Sequence, residues 1–347
     1  MRKWFSFASA LCLTVGLALT GCSSSTTDTN TTANTGANQE KPAQTTETKE
    51  AFELPSGDVS ILIPVAAGGG TDLTWRTVAE STKDILGRNI VVVNKPGAGG
   101  SVGLAEASRL KADGLHLSSY TSEIYTLPIF QQTAFTPEDF KPVILVNFDP
   151  AALVVPADSP YKTIEEFIAA AKENPGGISV GNSGFGNIWH LSAAAFAEKA
   201  GIELKQVPFE GAAPTVQAAL GGHINAFVAS PPEVASQVEA GQLRILAVMS
   251  DERLEKFPDV PTLKDINIDF SVGTWRGLGV PKDTPDEAVK IIHDAIAEGI
   301  QSESFKSFMQ ERGMGIKYMN TEDFTKFAAE QRPQFEELAK KIKETQK

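Results

Sequence analysis

"PVAAGGGTDLTWR", residues 64–76, joins a short apolar run to an amphipathic one. The run before it, residues 59–63, reads VSILI and is typical of a buried strand. After it, apolar or small side chains recur at positions 75, 78, 79, 82, 85 and 86, which form one stripe of a helix. Three consecutive glycines at such a junction suit a nucleotide phosphate, a substrate carboxylate, or a tight turn that binds nothing.

From residue 59 onward, short apolar runs alternate with helical segments, which predicts an α/β protein with largely parallel strands. The predicted strands are residues 59–64, 89–94, 115–120, 142–148, 153–156, 178–181, 204–208, 224–229, 243–249 and 276–280. The predicted helices are residues 75–86, 102–110, 163–173, 188–200, 213–220, 286–300, 304–312 and 321–347. Most of the strands are as short as expected when helices cover both faces of a sheet.

The N-terminus, residues 1–21, is predicted to be a secretory signal peptide. Arg2 and Lys3 precede an apolar segment that is too short and wrongly flanked for a stable transmembrane helix. Residues 19–22, LTGC, resemble a bacterial lipobox, which implies cleavage before Cys22 and attachment of lipid to its sulfur. A plain signal peptide with a chance cysteine is the alternative. Acyl chains would anchor the protein at the cell surface or in the periplasm without spanning the membrane.

The composition of the remaining chain excludes several kinds of protein. Residues 22–56 contain few large apolar side chains and are predicted to be a disordered tether that follows the lipidated cysteine. The globular part, from about residue 57, contains no cysteine and therefore no disulfide, thiolate nucleophile or cysteine metal site. The full sequence has a net charge of −12, and removal of Arg2 and Lys3 with the signal peptide leaves −14, which argues against binding to nucleic acid or to an anionic membrane patch.

Motifs for nucleotide binding and for catalysis are incomplete. The glycines of residues 97–103 have the spacing G-x-G-x-x-x-G, and residues 68–71 lack the Lys-Ser/Thr pair of a phosphate loop. The sequence GNSG at 181–184 is not a G-x-S-x-G nucleophile elbow. The histidines at 116, 190, 223 and 293 show no H-x-x-x-H pair for zinc. We therefore predict a protein that is not an enzyme and has no cofactor and no metal.

One physical feature recurs: a strand ends in a loop of small and polar residues, and a helix then begins. Residues 66–72, 182–187 and 209–214 all follow this pattern. Each loop would present backbone N–H groups at a helix N-terminus, where the helix dipole adds about half a positive charge. Any one such loop is best interpreted as an ordinary turn. Three in one exported α/β chain favour a site for a small anion such as a carboxylate.

Several long segments of this chain resemble the extracytoplasmic solute-binding receptors of tripartite tricarboxylate transporters, also called the Bug family. The matching segments, in family order, are IPVAAGGGTDLTWR, VVVNKPGAGGSVG, ADGLHL, VGNSGFGNIWHLSAAAFAEKAGI, VPFEGAAPTVQAALGGHINAFVAS, PDVPTL and TWRGLGVPKDTP. The resemblance implies a two-lobed periplasmic-binding-protein-like (type II) fold, with a mixed, mainly parallel sheet in each lobe and two crossing strands. Residues 57–155 and 274–347 would form one lobe, and residues 156–273 the other.

The resemblance also implies a ligand site in the cleft between the lobes, built largely from backbone amides and ordered water. The residues that it assigns to ligand binding are Ala67, Gly68, Gly69, Gly70, Thr71, Asp72, Thr121, Ser122, Asn187, His190, Gly211, Ala212, Ser230 and Arg276. Asp72 or Thr71 would cap the helix behind the first loop. Most of the remaining positions follow the predicted strand 115–120 or lie in the loops at 182–187 and 209–214.

The chain departs from the family pattern at positions that bear on the ligand. Ala229 stands where family members that bind amino acids often carry an acidic residue, so a partner for an ammonium group would be missing. Arg276 replaces a more usual aromatic residue, and Arg76 lies near the first loop; an arginine can bind a second carboxylate bidentately. Both arginines could equally form ion pairs within the protein. These features favour a di- or tricarboxylate, whereas Glu123 points towards a cation or hydroxyl donor.

The family resemblance implies a monomeric receptor that captures a carboxylated metabolite by lobe closure and delivers it to a membrane permease. A receptor that reports the same ligand to a membrane signalling system is the alternative. An exported enzyme is disfavoured by the missing nucleophile and metal spacings.

Overall fold

The computed structural model describes residues 52–345. The predicted signal peptide, the predicted lipidation site Cys22 and most of the predicted tether lie outside the described residues. No helix within residues 52–345 has the length and apolar character that crossing a membrane requires.

Strands and helices alternate along most of the described chain. The strands are β1 (Val59–Ile63), β2 (Ile90–Asn94), β3 (His116–Tyr120), β4 (Phe140–Pro156), β5 (Ser179–Asn182), β6 (Lys205–Pro208), β7 (Ala226–Ala229), β8 (Leu243–Met249), β9 (Gly273–Pro281) and β10 (Ile316–Met319). The helices are α1 (Gly70–Leu86), α2 (Ser101–Ala107), α3 (Glu123–Phe130), α4 (Ile164–Glu173), α5 (Ile188–Ala200), α6 (Ala212–Leu220), α7 (Pro231–Glu239), α8 (Asp286–Gly299), α9 (Glu303–Arg312) and α10 (Thr321–Thr345).

A single long strand, β4, belongs to two sheets. Its first part pairs with β9, from Phe140 opposite Pro281 to Pro150 opposite Gly273, in a sheet that also contains β1, β2, β3 and β10. Its last part, from Ala151 to Pro156, pairs with β7 and β8 in a sheet that continues to β5 and β6. The two strand-like runs predicted at 142–148 and 153–156 are therefore parts of one strand. Asp149 and Pro150 interrupt the apolar run but not the strand.

The expectation of mainly parallel sheets holds only for the outer strands. β1 runs parallel to β2 and β3, and β5 runs parallel to β6 and β7, because helices connect these strands. All pairings of β4, and that of β3 with β9, are antiparallel. The physical reason is that β4 carries the chain from the first sheet into the second, and β9 returns beside it in the opposite direction.

Buried side chains on both faces of the first sheet fix the ends of β3 and β9. Trp75 of α1 is fully buried on one face, and its indole N–H donates to Ser119 Oγ at 3.1 Å. On the other face, Phe324 of α10 meets Tyr120 and Trp275 edge to face, with ring centroids 5.6 and 5.7 Å apart. Because β3 and β9 are held on both faces, the polar residues at their ends have fixed positions.

Candidate functional site

A cavity lies where α1, α5 and α6 begin. The residues that line it are Pro64, Val65, Ala66, Gly69, Gly70, Thr71, Gly99, Ser119, Thr121, Glu123, Ser183, Asn187, Ile188, Trp189, Gly211, Ala212, Glu233, Thr274 and Arg276. All three loops that the sequence singled out contribute to the wall. The carboxyl ends of β1 and β5 point to this cavity, as expected for ligand sites in sheets of parallel strands. Helix N-termini at its wall offer main-chain donors and a favourable dipole to a negative group.

The first loop approaches the cavity closely because it has no side chains. Gly69 is the N-cap of α1 and Gly70 is its first residue. A Cβ atom on Gly70 would lie 3.0 Å from Arg276 Cζ and 3.1 Å from Glu233 Oε1, closer than such contacts normally are. A Cβ atom on Gly69 would meet only ordinary contacts, the nearest at 3.7 Å. Glycine is therefore required at position 70 more strictly than at position 69.

Glu233, near the start of α7, reaches the N-terminus of α1. Its Oε1 accepts a hydrogen bond from the Gly70 N–H at 3.0 Å, and its Oε2 accepts one from the Ser230 N–H at 2.9 Å. Ser230 is the N-cap of α7, so the second bond fixes the glutamate at the start of its own helix. Glu233 therefore connects the starts of two helices.

Glu123, the first residue of α3, reaches the N-terminus of α5 in the same way. Its Oε1 accepts a hydrogen bond from the Ile188 N–H at 3.0 Å, and its Oε2 accepts one from the Thr121 hydroxyl. Asn187 caps the same helix: its Oδ1 accepts from the Trp189 N–H at 3.1 Å. The N-terminus of α5 is thus occupied by a carboxylate from a different element.

Arg276 of β9 lines the cavity but is engaged in a buried network. Its Nη1 pairs with Asp149 and also donates to Asn147, both on the neighbouring strand β4. Its Nε donates to Thr71 Oγ1 at 3.1 Å, and its Nη2 lies 3.8 Å from Glu233 Oε1. The guanidinium charge is therefore compensated within the protein by the carboxylate of Asp149.

Asp72 and Arg76 form an ion pair away from the cavity. The Asp72 carboxylate accepts hydrogen bonds from the Arg76 guanidinium, from the Gly68 N–H at 2.9 Å and from Asn94 Nδ2 at 3.0 Å. Burial opposes ionisation of Asp72, but these hydrogen bonds outweigh it and hold the pKa of the carboxyl below its usual value. The Asp72 side chain folds back onto the loop that precedes it and does not line the cavity, so its contact with the ligand stays a prediction. Arg76 does not line the cavity either.

His190 is buried in the first turn of α5 and does not line the cavity. Its ring lies against those of Phe130 and Phe185, with centroids 5.4 and 4.6 Å away, and its Nδ1 accepts from the Gly186 N–H at 3.3 Å. Burial lowers the pKa of His190 to about 4, so the imidazole is neutral at physiological pH. The histidine holds the loop at 182–187 through this hydrogen bond, and its predicted contact with the ligand stays a prediction.

The sequence matches the family described as "Tripartite tricarboxylate transporter family receptor" over residues 74–343. The chain belongs to this family. The match covers most of the chain and begins after the first glycine loop. Membership in a family of receptors confirms the prediction of a solute-binding protein rather than an enzyme. Within the described residues, no group of three or more His, Cys, Asp or Glu side chains is arranged to hold a metal ion.

Relatives in the receptor family have similar sequences and the same fold. A TctC solute-binding protein from Polaromonas is 41% identical, with a TM-score of 0.62 over 83% of this chain and 99% of that one. The periplasmic binding protein BugD is 31% identical, with a TM-score of 0.79 over 83% and 98%. A structure of an R. palustris protein with adipate is 25% identical, with a TM-score of 0.79 over 84% and 98%. Together they confirm the predicted α/β, periplasmic-binding-protein-like fold.

The curated relatives also match over most of their length. A UPF0065 protein from the gbd 5' region of Cupriavidus necator is 35% identical over 282 residues, which is 81% of this chain and 86% of the relative. BugT of Bordetella pertussis is 30% identical over 73% of this chain and 79% of its own.

The structure brings many, but not all, of the site residues implied by the receptor family to one cavity. Those that line it are Gly69, Gly70, Thr71, Thr121, Asn187, Gly211, Ala212 and Arg276. Those that do not are Ala67, Gly68, Asp72, Ser122, His190 and Ser230. The two serines stand at the N-caps of α3 and α7, and the Gly68 N–H points to Asp72, so these residues support the wall from behind.

Sequence reasoning missed several lining residues, of which Glu233 is the most consequential. The others include Ser119, Ser183, Trp189, Gly99 and Thr274. A signal for Glu233 was present: Ser230-Pro-Pro-Glu233 has the S-x-x-E spacing of a capping box, which predicts a helix start after the strand 224–229. Nothing in the sequence indicates that this glutamate meets Gly70, because the contact joins distant parts of the chain.

Proposed function

We propose that this protein is an extracytoplasmic receptor that captures a carboxylate-bearing solute by closure of two lobes and delivers it to a membrane permease. The observation that carries the proposal is the convergence of three helix N-termini, those of α1, α5 and α6, on one cavity. The first N–H groups of α1 and α5 bind Glu233 and Glu123, so the start of α6 is the end that a solute carboxylate would take first. Main-chain N–H groups at such positions hold a carboxylate without a dedicated basic side chain. The adipate-bound relative from R. palustris supports a carboxylate as the ligand class.

Two lobes are proposed with the boundaries expected from the sequence: residues 57–155 with 274–347, and residues 156–273. Under this division the cavity wall contains residues of both lobes, such as Thr121 and Arg276 of the first and Asn187 and Ala212 of the second. The chain passes between the lobes through β4 and β9, which pair as far as Pro150 and Gly273. Two neighbouring crossings of this kind suit a hinge about which the lobes open and close.

The permease partner is proposed on family membership, since a receptor of a tripartite transporter has membrane components to serve. Anchoring through a lipid on Cys22, which would keep the monomeric receptor near that permease, is proposed on the LTGC sequence alone. Release of the solute would require that the permease favour the open form, because a ligand shifts a conformational equilibrium only by its differential affinity for the two states.

A di- or tricarboxylate is a more specific proposal for the ligand, and it is based on Arg76 and Arg276 as possible partners of a second carboxylate. The ion pairs with Asp72 and Asp149 weaken that support, because both guanidinium groups already have carboxylate partners. Adipate, which the R. palustris relative holds, is therefore the reference dicarboxylate against which other solutes are compared.

Isothermal titration of the purified chain against a panel of mono-, di- and tricarboxylates tests the proposal. We expect one site per chain for at least one compound, with a rise in melting temperature by mass action and a smaller radius of gyration in X-ray scattering. Alcohols and primary amines that match the acids in size but lack a carboxylate serve as controls. Absence of binding by every carboxylate would refute the proposed function.

A further inference from the structure

The cavity wall carries more acidic than basic groups. Among its lining residues, the ionisable side chains are Glu123, Glu233 and Arg276. Arg276 is paired with Asp149, a fully buried residue behind the wall. One guanidinium group therefore stands against three carboxylates in a largely buried site, where unpaired charge is unfavourable.

The two glutamates are held by neutral donors. Glu123 accepts from the Thr121 hydroxyl and the Ile188 N–H, and no basic side chain within residues 52–345 forms a salt bridge with it. Glu233 accepts from the N–H groups of Gly70 and Ser230, with Arg276 Nη2 3.8 Å away. A carboxylate has about four acceptor positions, so each glutamate can accept further hydrogen bonds from a solute.

A separate observation indicates a polar ligand at the same wall. Ser183 lines the cavity and is more than nine-tenths buried. Its hydroxyl has no hydrogen-bond partner within the described residues. Buried hydroxyl groups are normally hydrogen-bonded, so an unpartnered one at a cavity wall is suited to a ligand's polar atom.

We propose that Glu123 and Glu233 receive a cationic nitrogen of the solute, so that the ligand is a carboxylate bearing a protonated amine. The inference rests on the proposed function and specifies its substrate class. The solute's carboxylate would bind at the start of α6, near Gly211 and Ala212, since the first N–H groups of a helix have no partner within it. Its ammonium group would offset the excess negative charge of the wall.

A dicarboxylate without an amine fits these charges poorly. It would add two negative charges beside Glu123 and Glu233, and the Gly70 and Ile188 N–H groups are already occupied by those glutamates. The glutamates could have the opposite role, as competitors of the ligand. Each would then occupy a helix N-terminus, and a ligand carboxylate would have to displace it in order to bind there. The two roles predict opposite effects of neutralising the glutamates.

The test is titration calorimetry with pairs of solutes that differ by one amino group. Suitable pairs are 2-aminoadipate with adipate, aspartate with malate, and 4-aminobutyrate with 4-hydroxybutyrate. For the pair of best-fitting length, we expect the aminated member to bind at least about tenfold tighter, since one desolvated charge contact is commonly worth that factor.

The variants Glu123→Gln and Glu233→Gln keep the shape of each side chain and one of its two acceptor oxygens, and they replace the other oxygen with an NH2 donor. We expect each to weaken the aminated solute at least about tenfold more than its amine-free partner, because a change in lobe closure affects both solutes alike. Glu173→Gln, at an exposed position at the end of α4, is the matched control and should change neither affinity. Circular dichroism of each variant confirms that it is folded.

The outcomes separate this inference from the proposed function. The inference is overturned if the amine-free carboxylates bind more tightly than their aminated partners and either Glu→Gln variant strengthens that binding. The glutamates would then be competitors of the ligand, and the proposed carboxylate receptor would stand. A failure of every carboxylate to bind, aminated or not, would overturn both.

Discussion

Glu233 Oε1 lies 3.0 Å from the main-chain nitrogen of Gly70, which joins the start of α7 to the start of α1. The contact has a counterpart in Glu123 and the Ile188 N–H, also at 3.0 Å. Under the proposed lobe division, both contacts join the two lobes: Glu233 of the second lobe binds Gly70 of the first, and Glu123 of the first lobe binds Ile188 of the second. Opening of the lobes would break both, so these glutamates couple the hinge to the ligand site.

Gly70→Ala is predicted to disrupt the site. The added methyl group would collide with the Arg276 guanidinium and approach Glu233 Oε1 to 3.1 Å. Overpacking of this kind typically costs about 1–3 kcal/mol of folding free energy. We expect lower stability in urea denaturation and at least tenfold weaker binding in calorimetry, since about 1.4 kcal/mol corresponds to tenfold.

Gly69→Ala is the control for that substitution, because its Cβ would have ordinary contacts, the nearest at 3.7 Å from Ala212 Cβ. Neither glycine has a left-handed backbone conformation, so neither alanine is strained by its φ angle. Helix preferences alone would favour alanine at position 70 over alanine at the N-cap position 69, so greater damage from Gly70→Ala reports on space. Equal behaviour of the two variants would contradict the close approach at Gly70.

Arg276→Met is predicted to destabilise the protein by about 3–5 kcal/mol, because it leaves the Asp149 carboxylate buried without its cation. The double variant Arg276→Met/Asp149→Asn should regain part of this loss, since no charge then remains buried. Urea denaturation of both variants measures the difference. If the single variant is as stable as the parent protein, the buried pair does not have the structural role assigned to it here.

The sequence predicted regular elements well where a local pattern determined them. Helix α5 begins and ends where predicted, at Ile188 and Ala200, because Asn187 caps its start and Gly201 adopts the left-handed conformation after its end. Strand β8 also has its predicted bounds. For α1, the stripe at Trp75 marked the helix but not its first turn, which contains no large apolar side chain before Leu73.

Elements and contacts that depend on tertiary context were missed. Helix α3 has apolar side chains on nearly every side and contains Pro128, so no helical stripe is visible. The site glutamates were missed or left ambiguous for a related reason. Glu233 binds Gly70, 163 residues away, and Glu123 binds Ile188, 65 residues away. Spacing along the chain carries no information about such pairs.

His190 is predicted to make stability depend on pH. Burial lowers its pKa to about 4 from 6.5, so the unfolded chain binds a proton between these values while the native chain does not. The contribution of His190 to the free energy of unfolding is therefore complete above pH 6.5. It is lost as the pH falls towards 4, and the total loss is about 3 kcal/mol.

Urea denaturation of the parent protein and of His190→Gln, at steps between pH 7 and 4.5, measures this contribution. The stability of the variant should decrease much less than that of the parent protein as the pH falls. His223→Gln, at an exposed histidine, should retain the slope of the parent protein. Parallel curves for the parent protein and His190→Gln would contradict the assignment.

Asn187→Ala and Thr163→Ala are predicted to affect stability alike and binding differently. Both residues are N-caps whose side chains accept a main-chain hydrogen bond, from Trp189 for α5 and from Glu166 for α4. Loss of such a cap typically costs about 1 kcal/mol, so both variants should show a similar decrease in urea denaturation. Asn187 lines the cavity and fixes the start of α5, whereas Thr163 lies on an exposed helix end away from it. Calorimetry should therefore show weaker binding for Asn187→Ala only, because the loop that presents the α5 N-terminus loses its anchor. Equal affinity in both variants would mean that this helix end does not contribute to solute binding, and the site would then rest on α1 and α6.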